Sequence, residues 1–192
     1  VAGVANTWGY GAMTNHFGDM TANSKAIFCI GANSAVANPV GGMKHMLQAK
    51  DRNNAKLIVA DPNFTKTAAH ADLYLRQRSG TDVALIYGLI HIILKNGWED
   101  KEFLENRTYG IEEVRKEAEH WTPELTSDVT GVPVDRLIEA ANIMAHTKPG
   151  TVIWALGITQ HSVGTSNTRI LPILQLILGN MGKPGGGCNI IR

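Results

Sequence analysis

The sequence predicts an α/β layer fold with a mostly parallel sheet flanked by helices, and three observations predict it. Short apolar runs end in glycine or proline and lack the alternation of half-exposed strands, so they read as strands buried on both faces. Helical patterns stand between these runs, which is the order that parallel crossovers require. The composition, 44% hydrophobic and 18% charged over 192 residues, is that of one globular domain with a good core.

The elements follow in order. AIFCIG (Ala26 to Gly31) is the first strand and KLIVADP (Lys56 to Pro62) the second. DLYLRQR (Asp72 to Arg78) is a weaker third, and TVIWALG (Thr151 to Gly157) a strong fourth. Pro39 to Ala49 is expected to be helical, with Asn38 as its N-cap and proline at its first position. Val83 to Lys95 is apolar nearly all round and should be a buried helix, stopped by Asn96-Gly97. Ile111, Val114, Ala118 and Trp121 fall on one face of a surface helix, with Glu112 and Lys116 paired on its wet side. A further helix opens at Pro133 and runs through His146, burying Val134, Leu137, Ile138, Ala141 and Met144. A last apolar helix spans about Thr168 to Leu178, with Pro172 near its start. The stretch from Trp98 to Lys148 holds two or three helices and no good strand, and reads as a helical insertion in the same domain.

Several function classes are excluded. A net charge of +1 with scattered basic residues gives no footprint for nucleic acid. The longest apolar stretch, Val83 to Leu94, is broken by Gly88 and His91 and is too short to span a bilayer. The opening VAGVANTWGYGAMTN has no charged n-region or h-region and is not a signal peptide; it reads as the start of a piece of a longer protein. Cys29 and Cys188 are the only thiols, with neither zinc spacing nor a disulfide framework. Cys29 is expected to be a small core residue and Cys188 an inert loop thiol. The histidines show no metal-ligand spacing, so no metal site is expected within this chain.

In parallel sheets, ligands bind beyond the carboxyl ends of the strands. The residues there are Gly31, Asn33 and Ser34 after the first strand, then Asp61, Pro62 and Lys66 after the second. Gly80, Thr81 and Asp82 follow the third, and Gly157, Gln160 and His161 the fourth. All four loops are small and polar, which suits a nucleotide: backbone N–H groups can approach phosphates closely. Each has a plainer reading too. The glycines allow turns, Asp61-Pro62 is a common turn pair, and Asp82 can serve as a helix cap. No G-x-G-x-x-G follows a strand, and Gly9-Tyr10-Gly11 does not follow a credible one, so NAD is disfavoured. No P-loop is present. His91, inside the buried helix, is expected to be a hydrogen-bonded core residue, whereas His161 stands where a ligand could meet it.

These stretches together resemble the catalytic subunits of formate dehydrogenases, within the molybdenum and tungsten enzymes that carry two pterin guanine dinucleotides. The resemblance rests on Val1-Ala2-Gly3, Gly9-Tyr10-Gly11-Ala12-Met13-Thr14-Asn15, Ile30-Gly31-Ala32-Asn33 and Val59-Ala60-Asp61-Pro62. It continues through Ser79-Gly80-Thr81-Asp82-Val83-Ala84, Leu156-Gly157-Ile158-Thr159-Gln160 and Gly179-Asn180-Met181-Gly182-Lys183-Pro184-Gly185. They cover the whole chain in order, and the G-A-M-T-N stretch points to formate dehydrogenases over nitrate reductases.

The resemblance implies a Rossmann-like dinucleotide-binding domain over residues 1–192, the third of four in a longer subunit. It implies molybdopterin guanine dinucleotide as the cofactor, with molybdenum or tungsten, and an iron–sulfur cluster outside this stretch. Residues 30 to 37 would wrap pyrophosphate or ribose, and Asp61 with the residues through Thr67 would hold the guanosine side. Gly80, Thr81 and Asp82 would read the guanine edge, with the Asp82 carboxylate accepting from the ring N–H and amino group. Leu156, Gly157 and Gln160 would meet the pterin side. Many relatives carry arginine after Asp-Pro, where this chain has Asn63; a charge contact there would be lost or made by Lys66. Arg192 would hold the formate carboxylate beside the metal, since a guanidinium fork matches a carboxylate and keeps its charge. The metal-binding selenocysteine or cysteine would fall before Val1. Implied partners are the other domains of the subunit, an iron–sulfur electron-transfer subunit and formate. Periplasmic and cytoplasmic parents both fit, with the periplasm favoured. Nitrate or polysulfide reductases share the same domain, and the central nucleotide domain of thiamine-diphosphate enzymes shares the layout.

Overall fold

The computed structural model of the protein describes residues 1–191, so Arg192 lies outside the described residues. Five strands form one sheet in the order β3-β2-β1-β4-β5: β1 (Ala26–Ile30), β2 (Lys56–Ala60), β3 (Leu73–Leu75), β4 (Gly150–Trp154) and β5 (Gly187–Ile190). Every pairing is parallel, so the sheet is wholly rather than mostly parallel. The helices α1 (Ala2–Trp8) and α2 (Phe17–Asn23) precede β1. Between β1 and β2 come α3 (Ser34–Ala37), a π-helical turn at Pro39–Met43 and α4 (Lys44–Asn53). The long crossover from β3 to β4 holds α5 (Asp82–Lys95), α6 (Lys101–Arg107), α7 (Ile111–His120), α8 (Pro123–Thr130) and α9 (Val134–His146). α10 (Leu156–Thr159) and α11 (Gly164–Ile177) join β4 to β5.

Side-chain alternation divides the core into two layers. Phe28, Ile30, Ile58, Ala60, Val152 and Trp154 point to one face, where α5, α9 and α11 contribute Leu85, Leu89, Leu137, Ala141, Leu171 and Leu174. Ile27, Cys29, Leu57, Val59 and Ile153 point to the other, against Met20 of α2 and Met46 and Ala49 of α4. Burial on both faces is why the strands read as unbroken apolar runs. α5 is buried through most of its length, as its composition requires.

Several expectations need correction. The insertion contains four helices, α6 to α9, because two short ones with few apolar positions fell below a readable period. α1 and α2 had no such signal either; each spans seven residues. The strands are shorter than their apolar runs, and Leu156–Thr159 is a helical turn rather than the end of β4. Pro172 lies inside α11, which begins earlier, at Gly164. Asn38 does cap its helix, accepting from Gly41 N at 2.9 Å, but that first turn is π-helical. Ile138 of α9 is 44% exposed and Val134 only half-buried, so neither belongs to the buried stripe, in which Leu137, Ala141 and Met144 are joined by Ala140 and Ala145. Glu112 pairs with Arg115 at 3.6 Å, one turn position short of Lys116. Cys188 sits in β5, not in a loop, and is fully buried. β5 was unreadable because GCNI has little strand propensity; pairing with β4 creates it.

Candidate functional site

The register brings the carboxyl ends of four strands level: Ile30 lies beside Ala60 and Trp154, and Ala60 beside Leu75. The four predicted loops therefore leave the sheet along one edge. Gly157 N donates to Gly31 O at 3.1 Å, joining the loops after β1 and β4 backbone to backbone. The buried Thr67 hydroxyl donates to Asn33 Oδ1 at 3.0 Å and accepts from Ala35 N at 3.0 Å, joining the loops after β1 and β2. The Tyr74 hydroxyl donates to Asp61 O at 2.8 Å, and Arg76 Nε donates to Pro62 O at 3.3 Å, steadying the loop after β2 from β3. His161 Nε2–H donates to Gly157 O at 2.8 Å, and the same nitrogen stands 3.8 Å from Asp82 Oδ2.

Asp82 is the focus of this edge. It opens α5 yet is only 6% exposed. Gln77 Nε2 donates to its Oδ1 at 3.4 Å, a long bond, while Oδ2 is buried without a hydrogen-bond partner. Burial pushes its carboxyl above the ordinary range, offset in part by the Gln77 bond and the His161 charge, and assisted by the charge of Asp61. Burial likewise raises Asp61, whose carboxylate also accepts from Asn63 N. A buried carboxylate oxygen with no donor is costly unless a ligand supplies one. The Gln77 carbonyl oxygen is buried without a partner at the same edge, and the buried Ser34 hydroxyl has only the Cys29 thiol beside it. Gly80 has positive φ and open space where a side chain would stand, so the loop leaves room beside Asp82.

The other predicted residues are placed as follows. Leu156 and Gln160 flank Gly157 with exposed side chains, Leu156 at 52%. Thr81 turns inward to donate to Arg78 O at 2.7 Å, and Arg78 anchors that loop to Asp128 O and Val129 O of α8. Lys66 is exposed and lines a cleft of about 620 Å³ with Ala35, Met43, Leu47 and His70. Arg192 lies outside the described residues. His91 is the hydrogen-bonded core residue expected, donating from Nδ1 to Ala118 O at 2.8 Å. Burial pushes the Cys29 thiol up to about 12, as befits an inert core residue.

Two residues of the edge were missed. Gln77 shares its parity with the buried Leu73 and Leu75, and that alternation was the available signal. Arg76 brings a guanidinium to the Asp61-Pro62 loop from β3, a cation that reading along the loop alone could not find.

A family profile described as molybdopterin oxidoreductase matches residues 5–192. Formate dehydrogenase H of Escherichia coli K12 is 38% identical over all of this chain and 26% of its own length. The F420-dependent formate dehydrogenase 1 subunit alpha of Methanococcus maripaludis is 37% identical over all of this chain and 28% of its own. Among solved structures, acetylene hydratase from Pelobacter acetylenicus superposes with a TM-score of 0.86 at 30% identity, over 94% of this chain and 24% of that one. The chain thus spans about a quarter of the length of these relatives.

Proposed function

Because the chain belongs to the molybdopterin oxidoreductase family, we propose that it is the guanine dinucleotide-binding domain of a formate dehydrogenase that oxidises formate to carbon dioxide. The observation that carries the ligand half of this reading is the buried Asp82 carboxylate with its unpartnered Oδ2. Guanine offers a ring N–H and an amino group side by side, which two carboxylate oxygens can accept together; adenine offers no such pair. Gln77 and Ser34 present further buried polar atoms to the same edge. The residues present therefore fit the group. The match to this family removes the thiamine-diphosphate reading, while the relatives named formate dehydrogenases, with the G-A-M-T-N stretch, favour formate over nitrate or polysulfide.

When bound, the metal–pterin cofactor supplies the redox centre. Gly31, Asn33 and Ser34 would line its diphosphate and ribose, and Asp61, Pro62 and Lys66 its guanosine. Gly80, Thr81 and Asp82 would fix the base, and Leu156, Gly157, Gln160 and His161 the side toward the pterin. Arg192 would hold the formate carboxylate by a charge-assisted fork. Electrons would leave through iron–sulfur clusters outside this chain, toward a partner subunit. The chain alone carries no metal ligand of the family pattern and would not turn over formate.

The reading is tested on the full-length protein that contains this chain. Formate should reduce an artificial dye, and denatured protein should release guanine nucleotide detectable by mass spectrometry. Adenine nucleotide in its place, or reduction of nitrate without formate oxidation, would sink it.

The raised Asp82 carboxyl makes a pH prediction. The empty fold takes up a proton on Asp82 at higher pH than the unfolded chain does, so this group favours the empty fold as pH falls. Guanine needs the ionised form. GDP affinity, measured by calorimetry, should therefore decline as pH drops from neutrality through the raised Asp82 value. In Asp82→Asn the pH dependence should flatten.

A further inference from the structure

Gln77 is a buried polar residue of the strand-end edge, and only one end of its amide has a partner. It follows Leu73 and Leu75 at the same parity and is 2% exposed, where an aliphatic side chain would continue the row. Burying an amide there is costly unless both of its ends are paired. Nε2 donates to Asp82 Oδ1 at 3.4 Å. That contact fixes which way the amide points, since the flipped amide would set one acceptor oxygen against another. Oε1 is left buried with no partner, one amide's width from the carboxylate, and Asp82 Oδ2 is in the same condition. The backbone holds the two residues in place. Arg78 N, directly after Gln77, donates to Thr130 O at 2.8 Å. The Thr81 hydroxyl and amide both donate to Arg78 O, at 2.7 Å and 3.3 Å, closing the turn that ends at Asp82. Gly80 in that turn has open space where a Cβ would stand, so a ligand can come up against it. The His161 side chain, with Nε2 3.8 Å from Asp82 Oδ2, is 28% exposed and can turn to solvent when a base takes its place.

We propose that Gln77 is a specificity-determining residue that reads the 2-amino group of a bound purine. The proposal rests on the reading of Asp82 as the carboxylate that accepts from guanine. That reading uses the ring N–H and one of the two amino N–H bonds. The second amino N–H still needs an acceptor once the base has left water. Gln77 Oε1 is a buried acceptor without a donor, and it belongs to the group that already touches Asp82. Donor and acceptor match. The other end of the amide keeps its bond to Oδ1, which leaves that oxygen's second lone pair and all of Oδ2 for the base. A glutamine that only steadied Asp82 would need its donor end alone. Purines divide accordingly. Hypoxanthine keeps the ring N–H of guanine and lacks the amino group, whereas adenine presents a bare ring nitrogen at that position.

The test uses the full-length protein, prepared without cofactor, and calorimetry with GDP, IDP and ADP as probes. IDP carries hypoxanthine. Wild-type protein should bind GDP more tightly than IDP, and IDP more tightly than ADP. Gln77→Leu removes both ends of the amide at similar volume. The lost support of Asp82 weakens GDP and IDP alike and cancels in their ratio. The preference for GDP over IDP should fall about five- to tenfold, as one hydrogen bond to a neutral acceptor predicts. If Gln77→Leu does not accumulate folded, N2-methyl-GDP carries the test on wild-type protein. It keeps the ring N–H and one amino N–H, and should bind about five- to tenfold more weakly than GDP. An unchanged ratio of GDP to IDP affinity in Gln77→Leu, or N2-methyl-GDP binding as tightly as GDP, overturns the role of Gln77 and leaves it a support for Asp82. Equal binding of GDP and ADP by wild-type protein is a different failure: the guanine reading of Asp82 falls, and the proposal with it.

Discussion

Replacing Gly157 with alanine should loosen the fold and empty the proposed nucleotide site at once. A Cβ there would lie 2.5 Å from Gly31 O and 2.8 Å from Gly31 Cα, both backbone atoms that no rotamer change can move. The pair is also tied by the Gly157 N to Gly31 O bond, so separation breaks the bond that joins two of the strand-end loops. Overpacking of this kind costs about 2–3 kcal/mol, which for a chain of this size lowers Tm by roughly 5–10 °C. Thermal unfolding of Gly157→Ala against Leu156→Ala checks this. Leu156 is half exposed next door, and its truncation should leave Tm nearly unchanged. Equal, small shifts in both variants would show that the two loops are not held in contact.

Asp82→Ala should have the largest effect on ligand discrimination. Hydrogen bonds to a charged group contribute about 1.5–3 kcal/mol, so preference for GDP over ADP should fall by roughly tenfold to a hundredfold. The effect on the empty protein should have the opposite sign. Asp82→Asn removes a buried charge that Gln77, His161 and its own backbone N–H compensate only in part, so thermal stability without ligand should rise or hold. Calorimetry and a melting curve on the same two variants read both signs. Loss of stability without loss of discrimination would make Asp82 an ordinary opening residue of α5.

What the sequence reveals follows from how local each signal is. β1, β2 and β4 are buried on both faces, so their apolar runs and glycine stops locate the loops beyond them without any knowledge of contacts. That is also why the shared edge of the four loops could be anticipated. The remainder depends on pairs far apart in the chain. Thr67 matters because Asn33 and Ala35 meet it, and β5 exists because β4 and Thr14 flank it. Nothing in Gly187 to Ile190 taken alone says strand. Gln77 shows the intermediate case: its inward parity was readable, but its partner Asp82 stands across a turn.

Thr14 N donates to Cys188 O at 2.9 Å and the Thr14 hydroxyl accepts from Cys188 N at 2.8 Å, and this pairing with β5 has a consequence for solubility. A parallel sheet ends in a strand whose free amide and carbonyl groups can template a stranger's strand. Here the strands are almost wholly apolar, the composition that makes such templating dangerous. At the β5 side, Cys188 spends both its backbone groups on residue 14, so that border is already occupied. At the opposite side β3 offers only Leu73–Leu75, too short a row to recruit a neighbour. The sheet is thus closed to lateral growth by a threonine on one flank and by brevity on the other.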